Sequence, residues 1–528
     1  MEKTLEHLLR TIIRTNKEKE TKPTGDVIKV SDTISVAASV YEVVRNTLEY
    51  DEDHRLRRNA VRRILKRRLG DGDSKKLAAH LLRELIWARY LPNKRVPERK
   101  IGEVEKILKK YQPLFETLNE IDQDDQEAYE WLMDVLASEI EYCLVPSDSD
   151  EALANYAYQA LHKRMEWSSK MIKKADRDLQ LYIAVHRAVL KSNASTLRYR
   201  VLTLFYPDWK SASENDEVVK EIVKGLKKDV IEKIEGQINH PAADHMFRLV
   251  RKHAVVFHLL KDVASDDPEA FYQAFEGGDT GMVEKAISRA AEDRYKRFRI
   301  KLVRGVIRAV FFLFITKMFL ALIIEAPYEH FILHVTNYVP LVVNILFPPV
   351  LLAILGFTVV IPAKRNTEKI LEEVRGLMGQ DDDFQVLFKM RRPWSKGAIG
   401  YIFKGLYLFF FLFTIGVIST VLTVLDFNVL SIIFFLFFLS LVAFFGLKLR
   451  YSKRDLVIVE SRGNVLAFIS DILFLPIVRA GRWMALRAPK VNIFLFFFDF
   501  IIEAPFKAAI GIIESWLAFL REKREEIE

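Results

Sequence analysis

A single cysteine, Cys143, stands in 528 residues. It excludes an intrachain disulfide and a multi-thiolate metal centre, and it fits a soluble part kept in a reducing cytoplasm. Catalytic signatures are missing as well. There is no HExxH, no GxxxxGK(S/T), no GxSxG and no GxGxxG after a strand. The 70–76 stretch GDGDSKK lacks the preceding strand and the spacing of a phosphate loop, and reads as a turn with a helix cap. His240, His245, His253 and His258 are close in sequence. None of their gaps is the three or four residues that place two imidazoles on one helical face, so they read as ordinary helix histidines. Asp381, Asp382 and Asp383 lack the alternating ligands of a calcium loop and read as a polar loop break. No cofactor or metal is expected, and the sequence leans away from an enzyme.

Other absences concern distribution. The N-terminus has charges throughout and no apolar core of signal-peptide length. Strand-like alternation is nearly absent, and no repeat of solenoid period is present. Tyr111 to His162 contains no Lys or Arg while carrying many Asp and Glu. Before Ala309 no apolar run is long enough to span a bilayer.

What is present divides the chain in two. Residues 1–29 read as a short amphipathic helix followed by a polar tail. Residues 30–300 read as an all-helical cytosolic domain, with internal breaks near 145–150 or 207–216. Its helices are expected from Ser31 to about Tyr50, then at 75–90, from Pro97 to about Ile121, and at 125–144, 150–166, 175–192, 195–206, 215–238, 242–264, 267–276 and 280–300. The last continues into the membrane.

The sharpest basic element is HRLRRNAVRRILKRRL, residues 54–69. Arg55, Arg58, Arg62 and Lys66 share one side of that helix, opposite Leu56, Ala60 and Ile64. Three readings stand: pairing with the acidic 111–162 segment, contact with anionic lipid, or nucleic-acid binding. The last is disfavoured, because Lys/Arg density is unspecific without a recognisable nucleic-acid fold.

From Arg294 a basic collar leads into an apolar run, Ala309–Pro327, interrupted by Lys317 and Glu325. That length spans a hydrocarbon core of about 30 Å at roughly 1.5 Å per residue. Transmembrane helices are expected at 301–327, 338–361, 405–425 and 429–447. Pro348–Pro349 is expected to kink or break the second, since proline lacks the backbone donor and clashes with the preceding turn. Residues 362–404 read as a basic cytosolic loop with nine Lys and Arg. The flanks alternate basic and neutral. The positive-inside rule then places both termini in the cytoplasm, in a plasma (inner) membrane. Residues 301–528 hold 26 Lys and Arg against 19 Asp and Glu, an excess suited to anionic lipid.

Residues 463–521 are apolar with narrow polar stripes, including Asp499 and Glu503. They read as amphipathic interfacial or re-entrant helices, with a charged tail at 522–528. A polar stripe buried in the bundle is the alternative. Ile323–Tyr328 and Ile501–Phe506 echo each other (IIEAPY and IIEAPF); a duplication would make 479–506 a fifth crossing.

Lys317 lies nine residues past Arg308, about 13.5 Å along the helix and near mid-bilayer. Glu325 is eight residues further, about 12 Å, which reads as too far for a direct pair. Asp499 or Glu503, or carbonyls freed by Pro348–Pro349, are the expected partners. The fold class is therefore all-α: a cytosolic multi-helix domain, a four-span bundle and C-terminal amphipathic helices. The expected function is a membrane-anchored interaction or assembly protein with a protein partner in the cytosol. A channel or transporter using Lys317 and the second span is the alternative, and a homo-oligomer is compatible with either.

Overall fold

The computed structural model of the chain describes residues 2–20, 25–30, 53–68, 73–121, 125–168, 172–276, 280–334, 338–362, 364–378, 384–389, 398–452, 456–458 and 477–483. The helix expected from Ser31, residues Asp381–Asp383, most of 463–521 with Asp499 and Glu503, and the tail 522–528 lie outside the described residues. Among the described residues all regular elements are helical except two three-residue strands.

The described residues of the N-terminal half are mainly helical: α1 (Glu2–Glu20), α2 (Asp53–Arg68), α3 (Ser74–Trp87), α4 (Arg99–Ile121), α5 (Gln126–Leu144), α6 (Asp148–Arg164), α7 (Lys174–Ala188) and α8 (Ala194–Phe205). Then come α9 (Glu217–Lys224), a wide π-helical stretch Leu226–Glu232, α10 (Lys233–Ile238), α11 (Ala243–Asp266) and α12 (Pro268–Glu276). Side-chain caps fix several starts. The Asp73 carboxylate accepts from Lys75 N at 3.0 Å and Lys76 N at 3.1 Å, so Asp73 is the expected helix cap; Gly70–Gly72 lie outside the described residues. Asp125 caps α5 through Ala128 N at 3.0 Å, satisfying a donor that the first helical turn leaves orphaned.

Two apolar cores form. The first gathers Val61, Leu65, Leu81, Leu85, Leu136 and Val201 from α2, α3, α5 and α8. A polar knot sits inside it. Glu139 takes Lys110 Nζ, the Tyr111 hydroxyl at 2.7 Å and the Trp209 indole N–H at 2.9 Å, and Lys110 also donates to the Trp209 carbonyl at 2.8 Å. The second core is built on α6, α7 and α11. The N-terminal amphipathic helix joins it: Leu5, Leu8, Leu9 and Ile12, at helical spacing, are buried there. The segment 362–404, expected as a basic loop, is not simply a loop. It contains α15 (Lys364–Met378), whose Ile370, Val374 and Leu377 are buried in the same core. It also contains β2 (Val386–Phe388), which pairs in parallel with β1 (Met165–Trp167). The segment between the second and third apolar helices is thus part of the N-terminal domain's interior.

Four helices are long and apolar enough to cross a membrane, consistent with a membrane protein. The first belongs to α13 (Thr280–Leu320), 41 unbroken residues that begin in the second core and continue as two π turns, Ala321–Glu325 and Tyr328–Ile332. The others are α14 (Tyr338–Phe357), α16 (Ala398–Val424) and α17 (Val429–Ser452). Phe311, Phe312, Phe409 and Val424 are more than half exposed, a surface that suits acyl chains. Of the kink or break expected at Pro348–Pro349, the break is absent: α14 is helical through both prolines, and both are buried. Neighbouring helices can satisfy the backbone groups that a proline frees, and α14 packs on both α13 and α17. Close approach needs small residues. A Cβ on Gly356 would meet Val306 Cγ2 at 2.5 Å, and one on Gly481 would meet the Ser440 carbonyl oxygen at 1.9 Å. Residues 477–483 are helical and rest on α17 through that second contact.

Candidate functional site

Among the described residues of the apolar half, a buried polar cluster surrounds Lys317. Its ammonium lies 3.0 Å from Glu325 Oε1, and neither side chain is exposed. This corrects the expected separation, which assumed a uniform α-helical rise. The Ala321–Glu325 turn is π-helical, and glutamate on a helix leans back toward the N-terminus while lysine has a long stem. Together they close the gap. Lys317 therefore pairs with Glu325 and also stands over the Phe438 ring at 4.7 Å and the Phe434 ring at 5.4 Å.

Two residues not foreseen complete the knot. Asn344, on α14, donates to Glu325 Oε2 at 2.6 Å, and the Ser431 hydroxyl of α17 lies 3.4 Å from the same oxygen. One turn on, Glu329 accepts from Asn428 at 2.7 Å, while Asn428 Oδ1 caps α17 through Ser431 N at 2.8 Å. Both Asn344 and Ser431 are visible in the sequence as polar residues inside apolar runs, a signal that could have flagged them. The cluster joins α13, α14 and α17. Pro348 and Pro349 are buried one turn beyond Asn344.

Charges in so dry a place are costly unless paired and hydrogen-bonded. Here the pair is closed on itself and surrounded by amide, hydroxyl and aromatic groups. What this geometry does is fix the rotation of three helices, because sliding any one exposes a charge to hydrocarbon. Among the described residues no group of His, Cys, Asp and Glu is placed to hold a metal ion.

The basic strip of α2 faces protein. Arg62 pairs with Glu130 and lies 3.2 Å from Asp134, Lys66 pairs with Glu130, and Arg57 lies 2.6 Å from Glu141. Arg58 is buried, donating to Asn193 at 2.5 Å and to Thr196 at 3.2 Å. Arg55 lies in the first turn of the same helix. The partners of Arg57, Arg62 and Lys66 all come from the acidic 111–162 stretch. Their electrostatics differ. Burial pushes Glu130 up, but Lys66 and Arg62 outweigh it and hold its carboxyl below the usual range. At Glu141 burial wins over Arg57, and the carboxyl is raised.

No protein-family model, curated protein or solved structure matches this chain. Function has to be argued from these sites alone.

Proposed function

We propose that the chain is a membrane-anchored interaction protein, whose N-terminal helical domain engages a protein partner in the cytosol while the four apolar helices hold it at the bilayer. The observation that carries this reading is the shared core. Ile370, Val374 and Leu377 of α15, between the second and third apolar helices, are buried with Leu8, Leu181 and Phe257 of the N-terminal domain. A domain built around a loop of its own anchor has a fixed stance on the membrane. That suits presentation of a binding surface better than a passage for solute, and the closed Lys317–Glu325 pair points the same way. Lys296, Arg297, Arg299, Arg304 and Arg308 are exposed along α13 where it nears the bilayer, and anionic lipid headgroups are their expected neighbours.

Two measurements test this. Reporter fusions after Arg375 and Arg454 should read inside, and those after Tyr328 and Asp426 outside; an inside signal at Tyr328 overturns the four-span topology. Reconstituted protein should leave liposomes tight to a panel of ions and solutes. A flux that disappears in Lys317→Met establishes the transporter instead. With tight liposomes, photo-crosslinkers placed on exposed positions of α1–α12 in native membranes should give one discrete protein adduct.

A further inference from the structure

Where α1, α6, α7 and α8 meet, a cavity of about 420 Å³ opens to the surface, with His7, Arg14, Glu151, Tyr182, His186 and Arg200 among its lining residues. It lies where the two cores abut, a common place for ligand sites. Its inner wall carries an imbalance of charge. Arg200 is 6% exposed, yet its nearest carboxylate, Glu151, is 3.7 Å away and about half exposed. Its guanidinium stands 4.9 Å over the Tyr142 ring, and burial pushes the Tyr142 hydroxyl up to about 12, so that neighbour stays neutral. Glu141, the next carboxylate in the vicinity, is engaged by Arg57 at 2.6 Å. Arg200 Nε and His186 Nδ1 are buried without a hydrogen-bond partner. His186 is 4% exposed and its ring lies 4.2 Å from that of Tyr182. A buried cation calls for a closer anion than Glu151 supplies.

We propose that this cavity binds a small molecule through a carboxylate seated on Arg200, with a planar body against Tyr182 and His186. The charge count selects a single negative charge. One permanent cation lies at the inner wall, because Arg14 at the mouth is taken by Asp148 at 2.7 Å. Asp148 and Glu151 at the mouth oppose a dianion. Burial and Arg200 hold the His186 imidazole well below its ordinary range, so at neutral pH it offers a hydrogen bond and no charge. The cavity volume suits a ligand the size of an aromatic acid or somewhat larger. This inference is independent of what the membrane helices do.

The test is calorimetric titration of the full chain in detergent with benzoate, acetate and inorganic phosphate at matched ionic strength. Benzoate should bind one per chain, acetate should compete with it more weakly, and phosphate should be weaker than benzoate. Arg200→Gln should weaken benzoate by roughly ten- to a hundredfold, the range for a hydrogen bond to a charged group. Because that variant removes a buried side chain, Glu151→Gln provides the second arm: it takes away the competing carboxylate at the mouth and should tighten benzoate by roughly two- to fivefold. No saturable binding of benzoate or acetate to the wild type overturns the proposal. So does phosphate binding more tightly than benzoate, or Glu151→Gln leaving the affinity unchanged.

Discussion

Removing one partner of the Lys317–Glu325 pair should cost more than removing both. The two groups are 3.0 Å apart and fully buried, and breaking such a pair from one side typically costs about 3–5 kcal/mol. In Lys317→Met the buried carboxylate loses its cation, and in Glu325→Gln the buried ammonium keeps only the two phenylalanine faces as neighbours. The double variant Lys317→Met/Glu325→Gln leaves no charge and keeps an acceptor for Asn344, so its loss should fall below that of either single variant. Unfolding in mixed detergent micelles, followed by circular dichroism, measures all four proteins and gives the coupling as a double-mutant cycle. Single losses under about 1 kcal/mol, or losses that add in the double variant, refute the reasoning.

Three further outcomes are expected. On α2, Arg58→Gln should lower stability by about 1–3 kcal/mol because it leaves buried Asn193 and Thr196 contacts unmet, whereas Lys66→Gln, two-fifths exposed, should cost about 0–1 kcal/mol; denaturant titration separates them. His258 Nε2–H donates to the Val189 carbonyl at 2.7 Å, and burial, with Arg294 nearby, holds its imidazole down at about 4. The unfolded chain takes up that proton near 6.5, so stability is whole above that value and is lost as pH falls toward 4, by about 3 kcal/mol at most; His258→Gln should flatten that part of the stability–pH profile. Gly356→Val should force α14 away from Val306 and cost about 1–3 kcal/mol in thermal unfolding, and a variant as stable as wild type would show that the contact is slack.

The apolar helices were legible because their signal is length, which no neighbour can alter. The helices of the N-terminal domain were legible from spacing and caps, as at Asp73 and Asp125. What spacing cannot say is what covers an apolar face. The stripe Leu5, Leu8, Leu9, Ile12 marks α1 as amphipathic, and Ile370, Val374 and Leu377 carry the same mark on α15, but nothing in either stretch names the shared core. The strands at 165–167 and 386–388 are too short to show a period of two. The distance from Lys317 to Glu325 was misread because a π turn leaves no trace in sequence. Glu151, His186 and Arg200 come from three helices and share a cavity only through their packing.

The 41 residues of α13 form a strut about 60 Å long, fastened at one end by Val283, Ile287 and Ala291 and at the other by Lys317. A strut clamped at both ends transmits torque. Any partner that twists or tilts the N-terminal domain works directly on the first apolar helix, and α15 supplies a second point of attachment that keeps the motion from being absorbed by a hinge. Load on the domain therefore arrives at the Lys317–Glu325 knot, the place in the bilayer half where a small rotation is most costly.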